Sequence, residues 1–560
     1  MNGYGLSRKL LPIGKPWRSV LKFLGLFSLC LALTVGCGTS QSTAPVDANS
    51  PSANSNRITI GTTLKAETLD PADAYEIFPG ILIHNMGDRL YTYVPGTSDL
   101  EPQLATAMPE ISDDGLTYTI PLREGVTFHD GTPFNAEAMA FSLQRFMENG
   151  GRPSFLLSDQ IESVEATGEY ELTITLNQPF AAFPALLAFW GATPISPAAY
   201  EIGEGQFSPD TFVGTGPYKL ASFGTDSIRL DVNENYWGEP PANEGVDIQI
   251  ISSPANLFNT FRTGGLDVAY QTLDPDQIRT LVEGAEEGGW QVIEAGTNTV
   301  NYLVLNQKSE PLGDVRVRQA IASLVDRNLL IDRVFQGQAE PLYSLLPDTF
   351  SVHKPVFQEE FGDGNTEKAR TLLTEAGFSE ANPLTLEIWH SSSSTVRGLV
   401  ASTLKASIEQ QLPGLVNVEI NTAESATIFG NLSDGVYPSV LLDWYPDFYD
   451  EDTFIYPFLA CDEGSPSTGC VEGQSQAGGS FYYSDEANDL VLKQRVEQDE
   501  TARDALFTEL QDLSATDAPY IPLWQNKDYL FARSGVEGVE VQPTQQVLLW
   551  QIRKEEGSGE

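Results

Sequence analysis

The sequence predicts a mixed α/β fold, because segments that alternate like β-strands are interleaved with segments of helical periodicity. No internal repeat period organises these segments. Predicted strands share apolar residues at every second position, and they lie at residues 57–63, 116–122, 170–176, 228–232, 246–251, 384–389, 416–420 and 440–444. A chain of this kind is expected to place helices on both faces of its sheets.

Three helices are marked by capping residues as well as by periodicity. Asn135 is expected to cap a helix that ends at Gly150, and Asp314 is expected to cap a second. Thr366 is the expected cap of a third helix, which Gly377 closes. Each helix has its apolar residues at spacings of three and four, so each is predicted to bury one face.

Composition indicates a globular and strongly acidic protein. The 560 residues are 41% hydrophobic and carry a formal net charge of −45. This length is enough for two or more domains with complete cores. A chain with this charge repels the phosphates of nucleic acids, so no nucleic-acid partner is expected.

The N-terminus has the pattern of a signal peptide. Residues 1–36 contain five basic residues and no acidic residue, and residues 23–35 are apolar. Gly36 precedes Cys37, which predicts cleavage and lipidation at Cys37, although Thr34 stands where a leucine is usual. We therefore predict a signal peptide at 1–36 and a flexible lipoprotein tether at 37–56, rich in Ser, Thr, Ala, Pro and Asn. An ordinary secretory peptide is the alternative interpretation.

Two cysteines remain in the body of the chain. Cys461 and Cys470 are separated by a polar spacer that is rich in turn-forming residues. In an exported protein this arrangement predicts a local disulfide. The alternative is a metal site, but no histidine follows His390, so no metal site is predicted.

Motifs for catalysis and cofactor binding are absent from the sequence. The four histidines form no metal-binding pattern, and the sequence contains neither a nucleophile elbow nor a phosphate-binding loop. Gly214 and Gly216 begin a glycine motif that lacks its third glycine, and Pro217 blocks the helix start that a dinucleotide loop requires. We predict no enzymatic activity and no cofactor. A hydrolase that uses acidic residues is the alternative.

Several blocks of the sequence resemble one known family. The most specific block is residues 122–145, LREGVTFHDGTPFNAEAMAFSLQR. Further blocks follow the family's order along the chain: TLDP at 68–71, GTGPY at 214–218, NENYW at 233–237, DVRVRQA at 314–320 and APYIPL at 518–523. In these blocks the chain resembles the family 5 extracellular solute-binding proteins, the peptide and nickel group of ABC importers.

The resemblance implies a two-lobed, periplasmic-binding-protein-like (Venus-flytrap) fold that closes on its ligand. Lobe I is expected at 57–298 with an inserted subdomain at about 88–212, lobe II at 299–524, a return segment to lobe I at 525–553 and a tail at 554–560. The chain is expected to cross between the lobes near Asn301 and Leu523. The resemblance also implies an exported, lipid-anchored monomer that works with ABC permease and ATPase subunits. This monomer is expected in the periplasm or on the outer face of the cytoplasmic membrane.

The resemblance also implies ligand-binding residues. In peptide-binding relatives a tryptophan is followed three positions later by an aspartate that binds the peptide α-ammonium, which points here to Trp444 and Asp447. The main chain at Trp444 and Tyr445 would pair with one edge of the peptide. On the lobe I side the matching segment is Tyr75, Glu76 and Ile77. The alternative is that Trp444 and Tyr445 belong to the core beside the hinge.

The residue type at position 390 indicates which class of peptide the protein would bind. Dipeptide-specific relatives have an arginine near this position, which holds the ligand carboxylate, whereas this chain has His390 followed by four serines. The sequence therefore favours longer peptides over dipeptides, with His390 as a candidate contact. Chelated nickel, haem, sugars and opines are the alternative ligands, and a sensor lipoprotein without transport is the alternative role.

Cys37 is expected to become the lipidated N-terminus of the mature protein. One acyl chain binds a membrane only marginally, so the several chains of a mature lipoprotein would anchor it firmly. Intact-mass analysis of the membrane fraction should show cleavage before Cys37 and a mass increase of the size of the lipid. An unmodified Cys37, or cleavage at another position, would contradict the prediction.

Overall fold

The computed structural model describes residues 56–270 and 273–555. The predicted signal peptide, nearly all of the predicted tether, Cys37 and most of the predicted tail lie outside the described residues. No helix of the described residues is sufficiently long and apolar to span a membrane.

The described chain contains strands and helices throughout, which confirms the predicted mixed α/β class. The strands are β1 (Ile58–Thr62), β2 (Tyr91–Tyr93), β3 (Leu100–Pro102), β4 (Glu110–Ile111), β5 (Thr117–Pro121), β6 (Ile161–Gly168), β7 (Glu171–Leu176), β8 (Tyr218–Phe223), β9 (Ser227–Val232), β10 (Val246–Ile250), β11 (Val268–Tyr270), β12 (Trp290–Leu305), β13 (Ala339–Pro341), β14 (Leu384–Ser391), β15 (Val416–Ala423), β16 (Ser439–Trp444), β17 (Glu463–Ser465), β18 (Gly469–Glu472), β19 (Tyr520–Arg533), β20 (Val536–Glu537) and β21 (Arg553–Lys554). The helices are α1 (Ile77–Met86), α2 (Ala136–Glu148), α3 (Phe155–Ser158), α4 (Phe183–Leu186), α5 (Pro254–Arg262), α6 (Pro275–Glu283), α7 (Ala285–Gly288), α8 (Val315–Leu324), α9 (Arg327–Leu330), α10 (Val356–Phe361), α11 (Thr366–Glu375), α12 (Thr395–Gln411), α13 (Ser425–Asn431), α14 (Tyr456–Leu459), α15 (Gln474–Ala477), α16 (Asp485–Val496) and α17 (Glu500–Asp517).

A long mixed sheet runs through the molecule in the order β15-β14-β16-β12-β19-β11-β1-β10-β9-β8. Strands β12 and β19 lie in its middle and pair antiparallel with each other along most of their length. The second half of β12 pairs with β16, and the second half of β19 pairs with β11. These two strands therefore connect a group of strands from the first half of the chain to a group from the second half.

The two strand groups have separate hydrophobic cores. One core gathers residues of β1, β10, β11 and α1 with the four-stranded sheet β4-β5-β7-β6 and α2. Two others gather residues of α8, α12, β14 and β15, and of β16 and α17. We call the part of the molecule around the first core lobe I and the part around the other two lobe II. Each strand group thus has a core of its own on its side of the β12–β19 pair.

A buried ion pair joins two sequence blocks that lie far apart in the chain. Arg145, at the end of the 122–145 block, donates through Nη1 and Nη2 to the two carboxylate oxygens of Asp70, both at 2.7 Å. Asp70 lies in the 68–71 block, and both side chains are almost completely buried. Asp70 also accepts from the backbone N–H groups of Ala72 and Ser208. A buried pair with this many hydrogen bonds fixes the chain just before Tyr75.

A disulfide joins Cys461 and Cys470 in the structure. It closes the hairpin formed by β17 and β18, and both cysteines are buried. In the chain-entropy account, closing a loop of this length stabilises the fold by about 2.5–3 kcal/mol. The hairpin lies in lobe II.

Candidate functional site

A cavity lies between the two lobes. Lobe I lines it with His84 of α1, Tyr93 of β2 and residues of the segment 185–190, together with Gln546 from the C-terminal segment. Lobe II lines it with residues 445–449, the loop that follows β16. Because both lobes contribute to its wall, an occupant of this cavity would contact both.

Trp444 fixes the start of the 445–449 loop. Its ring packs edge-on against Phe458 with the ring centroids 6.1 Å apart, and its Nε1 donates to the carbonyl oxygen of Thr453 at 2.8 Å. Its main chain lies opposite Val300 of β12. The side chain of Trp444 is therefore held inside lobe II, and its main chain remains at the end of β16, where the loop begins.

The loop docks on lobe I. Tyr445 and Phe448 pack against the lobe I core, and the ring of Phe448 meets Phe180 edge-on at 6.1 Å. Tyr93 of lobe I donates through its hydroxyl to the carbonyl oxygen of Tyr449 at 3.1 Å. These contacts join the 445–449 loop of lobe II to lobe I beside the cavity.

Asp447 faces Tyr75 across the two lobes. The Tyr75 hydroxyl donates to Oδ1 of Asp447 at 2.6 Å. Loss of solvent around the carboxylate raises the pKa of Asp447 to about 6, and this effect outweighs the opposite effect of the Tyr75 hydrogen bond. Burial and the neighbouring Asp447 carboxylate raise the pKa of Tyr75, which therefore remains a neutral donor.

Within the described part of the chain, no Lys, Arg or His forms an ion pair with Asp447. A desolvated carboxylate without a cation is costly in free energy, and a cationic group that enters the cavity lowers that cost. The chemistry of the site is therefore that of an acceptor for an ammonium or a similar cation.

The neighbours of Tyr75 have other contacts. Glu76 pairs with both terminal nitrogens of Arg152 at the surface, with Arg152 Nη2 at 3.2 Å from Oε2. Ile77 begins α1 and is partly exposed. The structure therefore brings the side chains of Tyr75 and Asp447 together, and it leaves the side chains of Glu76 and Ile77 outside the cavity wall.

His390 lies inside lobe II and not in the wall of the cavity. It is near the end of β14, is buried, and its Nδ1 is 3.0 Å from the carbonyl oxygen of Ser391. Its ring faces Gly398 of α12. The positive charge near this point belongs instead to Arg397, which forms an ion pair with Asp443 at the end of β16.

Most residues of the cavity wall were not predicted from the sequence, among them His84, Trp190 and Gln546. They come from α1, from the 185–190 segment and from the C-terminal segment, which are far apart in the chain. No local pattern marks them, because their role depends on which part of lobe I faces the 445–449 loop.

The described residues thus form two lobes with separate cores, joined by the β12–β19 pair, with a cavity between them. A family model described as bacterial extracellular solute-binding proteins, family 5 Middle, matches residues 99–466. The chain belongs to this family, which is an extracytoplasmic family of ABC-transporter solute-binding proteins.

Similar proteins differ in what they bind. The probable D,D-dipeptide-binding periplasmic protein DdpA of Escherichia coli is 26% identical over 497 residues, covering 87% of this chain and 92% of the relative. Heme-binding protein A of Haemophilus influenzae is 29% identical over 474 residues, covering 78% of this chain and 81% of the relative. Among the relatives are peptide-, dipeptide-, glutathione-, haem- and nickel-binding components of ABC importers, which are transport proteins and not enzymes.

Solved structures confirm the two-lobed fold. HbpA2 from Haemophilus parasuis superposes with a TM-score of 0.77 at 22% identity, covering 89% of this chain and all of the other (100%). DppA from Helicobacter pylori in complex with the peptide STSA superposes with a TM-score of 0.70 at 25% identity, covering 90% of this chain and 98% of the other.

Proposed function

We propose that this chain captures peptides outside the cytoplasm and delivers them to the permease of an ABC importer. Oligopeptides are the proposed ligands in preference to dipeptides. The observation that supports this proposal most directly is Asp447, a desolvated carboxylate in the interlobe cavity that forms no ion pair with a described residue. A peptide α-ammonium supplies the missing charge, and the Tyr75 hydroxyl remains as a second donor to the same carboxylate.

Main-chain pairing supports a peptide in particular. One edge of β16 pairs with β12 along the whole strand. On the other edge, the described pairing is that of Val440 with Trp389 of β14. The edge of β16 that leads to Trp444 and Tyr445 is therefore suited to receive an added strand. The main chain at Tyr75, Glu76 and Ile77 is the proposed partner on the lobe I side. Pairing of this kind tolerates different side-chain sequences.

Closure of the two lobes is the proposed consequence of ligand binding. A ligand held by Asp447 of lobe II and by the Tyr75 segment of lobe I contacts both lobes, so it favours the closed arrangement over an open one. The proposed receiver of the closed form is a permease with its ATPase subunits. The proposed lobe boundaries are those expected from the sequence, with crossings near Asn301 on β12 and Leu523 on β19.

The proposed location follows from the N-terminal segment. Lipidation at Cys37 would tether a monomeric binding protein to the membrane, in the periplasm or on the outer face of the cytoplasmic membrane. We propose no enzymatic activity and no cofactor for this chain. The described residues contain no group of three or more His, Cys, Asp or Glu side chains arranged around a metal ion.

Replacing Asp447 with Asn removes the charge and keeps the size of the side chain. We expect Asp447→Asn to weaken binding of an unmodified pentapeptide by about 2–5 kcal/mol, because the lost partner is desolvated in the closed cavity. N-acetylated pentapeptide should bind wild type poorly, and the variant should discriminate much less between the two forms. Calorimetry with both peptides measures these effects.

Asp489→Asn is the matched control for this charge. It removes a carboxylate from the surface of lobe II, where Asp489 pairs with Lys493. This variant should bind both pentapeptides as wild type does. Equal binding of free and acetylated peptide by wild type would show that Asp447 has another role. If peptides fail to bind at every length, the proposed ligand class is wrong.

Peptide affinity should fall when the solution is acidified. The pKa of Asp447 is raised to about 6, so the carboxylate is charged at pH 7 and largely protonated at pH 5. A peptide ammonium is still charged at both values and binds the deprotonated carboxylate, so the affinity should drop about tenfold from pH 7 to pH 5. Asp447→Asn should show little change over this range. A wild-type affinity that stays constant would contradict the assignment.

A further inference from the structure

Trp190 lines the interlobe cavity and carries an unused hydrogen-bond donor. The side chain lines the same cavity as Asp447, and the residue is only 7% exposed. Its Nε1 is buried and has no hydrogen-bond partner among the described residues. An indole N–H can only donate, so it requires an acceptor. A buried donor without an acceptor is unusual in a folded protein and points to a group that arrives with a ligand.

His84 adds a second donor to this wall. Arg89 donates through Nη1 to the carbonyl oxygens of His84 and Gly87, and its Nη2 lies 3.4 Å from Nε2 of His84. A guanidinium has no acceptor, so Nε2 of His84 accepts and Nδ1 carries the proton of the neutral ring. Burial and the neighbouring Arg89 charge hold the pKa of His84 well below its usual value. In the described structure, Nδ1 makes no hydrogen bond.

Arg89 brings a buried positive charge behind His84. Its side chain is completely buried, and the described residues offer it no ion pair. The neighbouring Asp88 offsets part of this charge, but its carboxylate oxygens receive donors from Thr215, Tyr236 and Trp237. The wall thus combines two free N–H donors with a nearby cation, and this combination favours an acceptor that carries negative charge.

We propose that His84 and Trp190 form a subsite for the carboxylate end of the peptide whose ammonium binds Asp447. This inference rests on the proposed function and names the second anchoring point of the ligand. The helix α1 begins at Ile77, beside Tyr75, and at the helical rise of ~1.5 Å per residue His84 lies ~10 Å further along it. That span corresponds to about three extended residues. The acidic site and the donor pair then bind opposite ends of one short peptide.

Trp190→Phe tests the subsite, because it keeps a flat apolar ring and removes the N–H group. The probes are alanine peptides of two to five residues, each as a free acid and as a C-terminal amide. Wild type should bind the free acids about tenfold or more tightly than the amides, since a charged acceptor forms the stronger hydrogen bonds. In Trp190→Phe the ratio of acid to amide affinity should fall towards one, as measured by calorimetry.

Trp290→Phe is the matched control. Trp290 also belongs to lobe I, but its Nε1 donates to the carbonyl oxygen of Leu281 away from the cavity, at 2.9 Å. This variant should keep the wild-type acid-to-amide ratio. His84→Phe is a second test that removes the other donor, in case Trp190→Phe does not fold as judged by circular dichroism.

Three outcomes would overturn the subsite. The first is equal binding of acids and amides by wild type, and the second is an unchanged ratio in the folded donor variants. In both cases the peptides still bind, so the proposed function stands and the subsite alone fails. The third is that no alanine peptide binds wild type, in which case the proposed peptide ligand fails together with the subsite.

Discussion

The antiparallel pair of β12 and β19 connects the lobes, so it constrains how the two walls of the cavity lie against each other. The pairing of the two strands shifts register between Gly296 and Val300, which interrupts the ladder at the point where the chain passes from one lobe to the other. Irregular pairing of this kind bends a strand and increases its twist locally. Asn298 lies in this interruption, lines the cavity, and bonds to Pro543 on one side and Thr349 on the other. The proposed closure of the lobes would turn at this interruption.

The structural carboxylates differ from the proposed ligand-binding carboxylate in their hydrogen-bond and ion-pair partners. Asp70 is more deeply buried than Asp447, yet it receives two bonds from Arg145 and further backbone donors. Asp363 likewise pairs with the buried Arg327. Asp447 has the Tyr75 hydroxyl and no cation among the described residues. What distinguishes Asp447 is the combination of a carboxylate shielded from solvent, a place in the cavity wall and no cation among the described residues.

Local elements were predictable where local physics determines them. Asn135 caps α2 through the backbone N–H of Ala138, as its position before an apolar stripe predicts. The expected cap Thr366 was wrong by one residue, because the side chain of Asn365 accepts from the backbone N–H of Lys368 and Thr366 begins α11. Asp447 and Tyr75 were each named as ligand-binding residues through the family resemblance, and the hydrogen bond between them was not predicted.

Non-local features could not be predicted from the sequence. The strands β12 and β19 were missed as long strands because much of each is buried on both faces and so lacks the alternation that marks a half-buried strand. His84 and Trp190 acquire their role from the approach of the 445–449 loop, which only the folded chain specifies. His390 is the opposite case. Its place in the sequence suggested a ligand contact, but in the fold its side chain is buried inside lobe II.

We propose that the cavity between the lobes binds peptides through their α-ammonium group. Mass spectrometry of the small molecules released from the protein after gentle purification from its own cells tests it most directly. We expect a mixture of short peptides with free N-termini and little preference in their side chains. A single non-peptide compound, such as a haem, a chelated metal or a sugar, would contradict the claim.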